Sequence, residues 1–213
     1  MEQKLETDGV RGVLHGPESP NGDAILLTHG AGSDCRAPLL QRMARAFEDS
    51  GYIVLRYDLP YRRERPKGPP FPAGASRDRE GIEHAVHAVR KLAIGRLVLG
   101  GHSYGGRQSA MLAASRPEIA DRLLLLSYPL HPPKSPEKKR TAFFPDLRIP
   151  VLFVHGTRDP FASLEELREA MALIPARTDL LPIEDGGHDL SRAAGLARDM
   201  IDRLEALRAE PRT

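Results

Sequence analysis

The chain is expected to form a doubly wound α/β fold, a mainly parallel sheet with helices on both faces. Three observations lead there. Short apolar runs alternate along the chain with longer amphipathic ones, the pattern of repeated strand–helix units. The short runs are apolar at nearly every position, as strands covered on both sides are, rather than alternating apolar and polar. At 213 residues, 40% apolar and 28% charged, the chain is long enough to bury one core and reads as a single domain over 1–213.

The elements follow in order. Ala24–Thr28 (AILLT), Ile53–Tyr57 (IVLRY), Leu97–Gly100 (LVLG), Leu123–Ser127 (LLLLS), Val151–His155 (VLFVH) and Leu180–Ile183 (LLPI) are expected as buried strands. Helices are expected over 37–50, 77–93, 105–115, 163–173 and 189–208. The last puts Leu190, Ala194, Ala197, Ile201, Leu204 and Leu207 on one stripe, with Arg and Glu opposite. Residues 5–15 read as an added edge strand of antiparallel sense. Two segments, 58–76 and 128–149, are rich in Pro and basic residues. Proline removes a backbone donor and fixes φ, so neither can be a central strand or a long helix. Both are expected as loops over the active-site edge of the sheet.

The bulk chemistry excludes several classes. A formal charge of +2 is too small to argue for nucleic acid or a membrane surface, and neither is expected as a partner. Cys35 is the single cysteine, so no internal disulfide can form. No basic segment followed by an apolar one opens the chain, and the longest apolar run, Leu123–Leu126, is far short of a membrane span. A cytoplasmic protein is the expectation, with no oligomeric state implied.

In an open parallel sheet, ligands bind beyond the carboxyl ends of the strands. The chemistry-bearing residues of this chain cluster at such ends. Gly101-His102-Ser103-Tyr104-Gly105 is a G-x-S-x-G pentapeptide between an expected strand and an expected helix. Its glycines leave room for a sharp turn that pushes the serine hydroxyl out at the rim. Alone, the pentapeptide also fits a purely structural glycine turn. Two further strand ends shift the balance. Val151–His155 leads at once to Asp159, and Leu180–Ile183 leads through Gly186-Gly187 to His188. A serine hydroxyl needs an imidazole to take its proton and a carboxylate to orient that imidazole. The chain order Ser, Asp, His is the one this architecture uses. Asp159 as a helix N-cap and His188 as a loop histidine are the bland alternatives for each residue taken singly. A fourth strand end, Thr28-His29-Gly30-Ala31-Gly32, is a small-residue loop. The Ala31 N–H and the Tyr104 N–H are expected to form an oxyanion hole, each donor typically worth about 3–4 kcal/mol in the transition state. His29 is expected to brace the loop rather than act as a base.

On these residues the chain resembles the α/β-hydrolases over nearly its whole length: His29-Gly30, Gly101 through Gly105, Asp159 and Gly187-His188. The stretch Ser127-Tyr-Pro-Leu-His-Pro-Pro133 is also similar to a narrower branch of small proteins near the dienelactone-hydrolase-like group. The resemblance implies hydrolysis through an acyl-serine, with no cofactor and no metal. Dienelactone hydrolases proper use a cysteine where Ser103 stands, so their substrate does not transfer. Many members carry a helical cap before the acid; here only 128–149 is available, which implies an open, shallow site.

Other features of the chain carry less chemistry. His84 and His87, three apart on an expected helix, lack a third ligand and read as a solvated face. Cys35 follows the His29 loop and reads as packing. No Gly-rich phosphate-binding pattern follows a strand. Residues 60–80 carry Arg62, Arg63, Arg65, Lys67, Arg77 and Arg79 against Glu64, Asp78 and Glu80. Residues 131–148 carry Lys134, Lys138, Lys139, Arg140 and Arg148 against Glu137 and Asp146. These loops are either solvated or a positive rim that steers an anionic substrate. The expectation is therefore a serine hydrolase acting on small carboxylic esters or thioesters, with Ser103, Asp159 and His188 as its triad. Alternatives are a binding or scaffold protein on the same fold, and an acyltransferase or perhydrolase using the same triad.

Overall fold

The structure, a computed structural model, describes residues 2–7, 9–191 and 197–207. Its strands are β1 (Glu2–Thr7), β2 (Val10–His15), β3 (Ala24–Thr28), β4 (Ile53–Tyr57), β5 (Leu97–His102), β6 (Arg122–Leu126), β7 (Val151–Gly156) and β8 (Thr178–Ile183). They form one eight-stranded sheet in the order β1-β2-β4-β3-β5-β6-β7-β8. From β4 to β8 every pairing is parallel, while β2 runs antiparallel to β4 and β1 antiparallel to β2. The edge strand expected over 5–15 is thus corrected to a two-stranded hairpin. Gly9, at φ 101°, sits in the turn between its arms, where a residue with a side chain would be strained.

The parallel strands are covered on both faces, as their unbroken apolar composition requires. Alternate residues point opposite ways. Ile25, Leu27, Val54, Val98 and Val154 pack on one face with Leu40, Met43 and Phe47 of α1 (Pro38–Asp49) and Ile201 and Leu204 of α6 (Ala197–Ala206). Leu26, Leu55, Leu99, Leu125 and Phe153 pack on the other face. Their partners there include Ile82 and Val86 of α3 (Ala75–Arg90), Leu112 of α4 (Tyr104–Ser115) and Leu167 of α5 (Leu164–Met171). Each such side chain, fully buried, contributes about 1.5–3 kcal/mol.

The two Pro-rich segments differ from the expectation of plain loops. Pro60–Glu64 forms a short helix, α2, and Pro72–Gly74 a 3₁₀ turn that feeds directly into α3. Each begins on a proline, whose missing N–H and preset φ suit the first helical position. The segment 128–149 is irregular but not loose: Tyr128, Leu130, Phe144 and Leu147 are buried. The helix expected over 189–208 is described only as α6. Leu190 sits instead in a turn at φ 49°, which no right-handed helix admits, and residues 192–196 and 208 lie outside the described residues. Leu190 and Leu207 are buried, and Ala194 lies outside the described residues. No described helix is long and apolar enough to cross a membrane.

Candidate active site

β5 lies between β3 and β6, so the turn after it opens at the middle of the sheet's carboxyl edge. Ser103, at φ 51° and ψ −114°, occupies that turn. This conformation costs on the order of 1–3 kcal/mol for a residue with a side chain. Its surroundings hold it there: the Ser103 N–H donates to the Leu126 carbonyl at 2.8 Å, and its carbonyl accepts from Arg107 N–H at 2.9 Å. Gly101 and Gly105 are required by close approach. A Cβ on Gly101 would lie 2.7 Å from the Gly106 nitrogen, and one on Gly105 would lie 2.6 Å from the His29 carbonyl.

β7 and β8 are neighbours, and their following loops are laced together. Gly156 packs so tightly on the Gly186 carbonyl that a Cβ has no room. Arg158 N–H donates to Gly186 at 2.9 Å, and Asp185 N–H to the Thr157 hydroxyl at 2.9 Å. This brings Asp159 and His188 together and reaches back to Ser103. His188 Nδ1–H donates to Asp159 Oδ2 at 2.8 Å, and the Ser103 hydroxyl donates to His188 Nε2 at 2.8 Å. The second Asp159 oxygen accepts from the Phe161 N–H at 2.9 Å, and the Phe161 ring packs on the His188 imidazole at 4.3 Å between centroids. Burial alone would raise the Asp159 carboxyl. The hydrogen bond and charge of His188, with the Phe161 amide, hold it below its usual range instead.

The His29 loop lies beside this chain, because β3 is the other neighbour of β5. His29 donates from Nδ1 to the Gly30 carbonyl at 2.9 Å and accepts at Nε2 from Leu59 N–H at 3.2 Å. Burial depresses its pKa, so it is a neutral brace. The Tyr61 hydroxyl lies 3.1 Å from the Gly30 carbonyl and 3.0 Å from that of Ala31. With the Gly30 carbonyl held inward, the trans peptide turns the Ala31 N–H the other way. Among the described residues, no acceptor takes the Ala31 or Tyr104 N–H.

Ser103, Ala31 and Tyr104 line one cleft of about 670 Å³. One wall is Pro69, Pro70, Phe71 and Pro72; segment 128–149 supplies Pro129 and Arg140. The site is therefore walled by the first Pro-rich segment, where a shallow floor was expected. Cys35 does not line the cleft, and burial pushes its thiol up to about 12.

Sequence reasoning passed over three supporting groups. Asp78, fully buried at the start of α3, accepts from the Tyr104 hydroxyl at 2.7 Å and from Tyr61 N–H at 3.1 Å. It thereby joins the two sides of the cleft floor. His102 donates from Nε2 to the His188 carbonyl at 2.7 Å, and burial pushes its pKa down to about 4. His155, buried beneath Asp159, donates from Nε2 to the Ala162 carbonyl at 3.1 Å. Only His102, inside the pentapeptide, carried a sequence signal.

A wound sheet that presents a strained serine after its central strand, next to an Asp–His pair from two neighbouring strands, defines an α/β-hydrolase architecture. The family comparison agrees: residues 21–208 match the model described as an alpha/beta hydrolase domain, and the chain belongs to that family. A curated relative, a 2-hydroxy-6-oxononadienedioate/2-hydroxy-6-oxononatrienedioate hydrolase from Pseudomonas sp, is 30% identical over 124 residues. That match takes in 56% of this chain and 42% of the relative, so the chain spans under half of that protein's length. Among solved structures, a dienelactone hydrolase from Anabaena variabilis superposes with a TM-score of 0.73 at 18% identity, covering 96% of this chain and 95% of its own. An alpha/beta serine hydrolase without lid from Xanthomonas campestris gives 0.74 at 18% identity, with 99% and 97% covered.

Proposed function

We propose that the chain is a serine hydrolase that cleaves small carboxylic esters or thioesters, with Ser103 as nucleophile, His188 as base and acid, and Asp159 as the group that orients the imidazole. The observation that carries this reading is the unbroken hydrogen-bond chain from Ser103 Oγ through His188 to Asp159, at 2.8 Å per link. Ser103 Oγ attacks the ester carbonyl while its proton passes to His188 Nε2. The carbonyl oxygen takes the negative charge, and the Ala31 and Tyr104 N–H groups bind it. The C–O or C–S bond to the leaving group breaks as His188 returns the proton to that group. Water then repeats the sequence on the acyl-serine, releasing the acid and restoring the hydroxyl. Asp159 stays ionised throughout and stabilises the imidazolium by charge.

The preset N–H donors spare the reaction the reorganisation that water would need. His102, neutral and bonded to the His188 backbone, keeps a second positive charge away from the imidazolium. A panel of p-nitrophenyl esters of graded acyl length tests the reading. The wild type is expected to turn over the short acyl esters, and Ser103→Ala and His188→Ala to lose about 10⁴-fold or more in kcat. Equal rates in wild type and Ser103→Ala would overturn it.

A further inference from the structure

Three arginines, Arg79, Arg107 and Arg140, line the cleft that holds Ser103. Among the described residues, none of them forms an ion pair with a carboxylate, whereas their outward neighbours Arg77 and Lys139 pair with Glu64 and Glu169. Arg107 and Arg140 are close enough for their charges to act on each other. Burial, together with that like charge, depresses the Arg140 pKa. Two adjacent cations without a counter-charge are unfavourable for folding, and an anion placed between them offsets the cost.

The groups are also held in place. The Arg140 N–H donates to the Leu130 carbonyl at 2.7 Å, its carbonyl accepts from the Tyr128 hydroxyl at 2.6 Å, and Nη1 donates to Pro129 at 3.1 Å. Arg79 Nη1 donates to Gln108 Oε1 at 2.9 Å. The Arg107 Nε–H is buried without an acceptor among the described residues. Ordering two guanidiniums before a ligand arrives reduces what binding must spend on them.

We propose that Arg107 and Arg140, with Arg79 beside them, form a carboxylate-binding subsite, and that the substrate is an ester or thioester whose acyl chain ends in a carboxylate. The inference rests on the serine-hydrolase reading above and names its substrate class: a hemi-ester or hemi-thioester of a short dicarboxylic acid. The length is set by the cleft: Ser103, Arg107 and Arg140 line one space of about 670 Å³, which holds a short acyl chain between the hydroxyl and the guanidiniums. Phe71, Met111 and Phe161 offer apolar surface for the methylenes between. A planar guanidinium matches a carboxylate with two parallel hydrogen bonds.

The test compares mono-4-nitrophenyl glutarate with its neutral methyl ester, 4-nitrophenyl methyl glutarate. The wild type is expected to favour the anionic ester in kcat/KM by about tenfold or more. Arg107→Gln, Arg140→Gln and the double variant are expected to shrink that ratio progressively toward unity, with circular dichroism showing each still folded. A wild-type ratio at or below unity, or a ratio untouched by the double variant, overturns the proposal. Calorimetric titration of glutarate into Ser103→Ala separates this inference from the one it rests on. Saturable binding that the added Arg107→Gln and Arg140→Gln changes abolish supports the subsite even if neither ester is hydrolysed. No heat of binding, or binding indifferent to those changes, refutes the subsite even if neutral esters turn over.

Discussion

Arg62 lies behind the wall of the cleft that Arg107 lines, and their surroundings treat the same guanidinium in opposite ways. Arg62 is 3% exposed and all three of its nitrogens donate to backbone carbonyls: Nε to Ser33, Nη1 to Arg65, and Nη2 to Ala31 and Gly68. Those bonds tie the His29 loop to the Pro-rich wall. Arg107 is half-buried and leaves its Nε–H without a partner among the described residues. A buried cation whose three nitrogens all donate to carbonyls belongs to the scaffold, whereas one left short in an open cleft is available to a ligand.

The largest expected effect that sharpens the comparison is on stability. Arg62→Ala removes a donor from the carbonyls of four residues and is expected to cost about 3–4 kcal/mol in urea unfolding. Arg107→Gln is expected to stay within about 1 kcal/mol of wild type, because it relieves a like charge beside Arg140 and breaks no ion pair. Comparable losses in the two variants would break the distinction.

A second effect follows from the buried imidazoles. His102 stays neutral in the folded state down to about pH 4, while in the unfolded chain it takes a proton near the ordinary histidine value of 6.5. Protons therefore favour unfolding across that window. Its contribution is complete above pH 6.5 and falls away as pH drops toward 4, about 3 kcal/mol in all. His29 and His155, also depressed by burial, act in the same direction. Thermal melts from pH 7 to pH 4 are expected to fall steadily, and His102→Gln to flatten the slope. A Tm independent of pH over that range would contradict the neutral-imidazole account.

The smallest effect concerns Asp78, which accepts from the Tyr104 hydroxyl and the Tyr61 amide. Asp78→Asn keeps an acceptor for one of them and is expected to cost about 1–2 kcal/mol in stability, with a larger fractional loss in kcat than in substrate binding. A change in KM alone would place Asp78 outside the positioning of Tyr104.

Much of this was legible in the chain itself. The buried parallel strands announce themselves as unbroken apolar runs. Ser103, Asp159 and His188 each follow such a run, with glycines where a turn must be tight, so local signals pointed to sites the fold then brings together. The hairpin was missed although Asp8-Gly9 is a strong two-residue turn signal, because a weakly patterned segment of eleven residues reads as one strand. The end of the helix expected at 189 failed because the turn that carries His188 continues through Leu190 at positive φ. Charge counts over the Pro-rich loops could not tell Arg62, which gives four hydrogen bonds to carbonyls, from Arg140, which gives one. Arg107 belonged to neither loop. Such differences depend on which polar atoms meet after folding, and no local pattern records them.

The account stands most directly on the reactivity of Ser103. Exposure of the folded protein to a fluorophosphonate probe, followed by intact-mass and peptide analysis, is predicted to give one adduct per chain on the peptide bearing Ser103, absent in Ser103→Ala and strongly slowed in His188→Ala. A folded protein that takes up no probe, or takes it up elsewhere, would contradict the account.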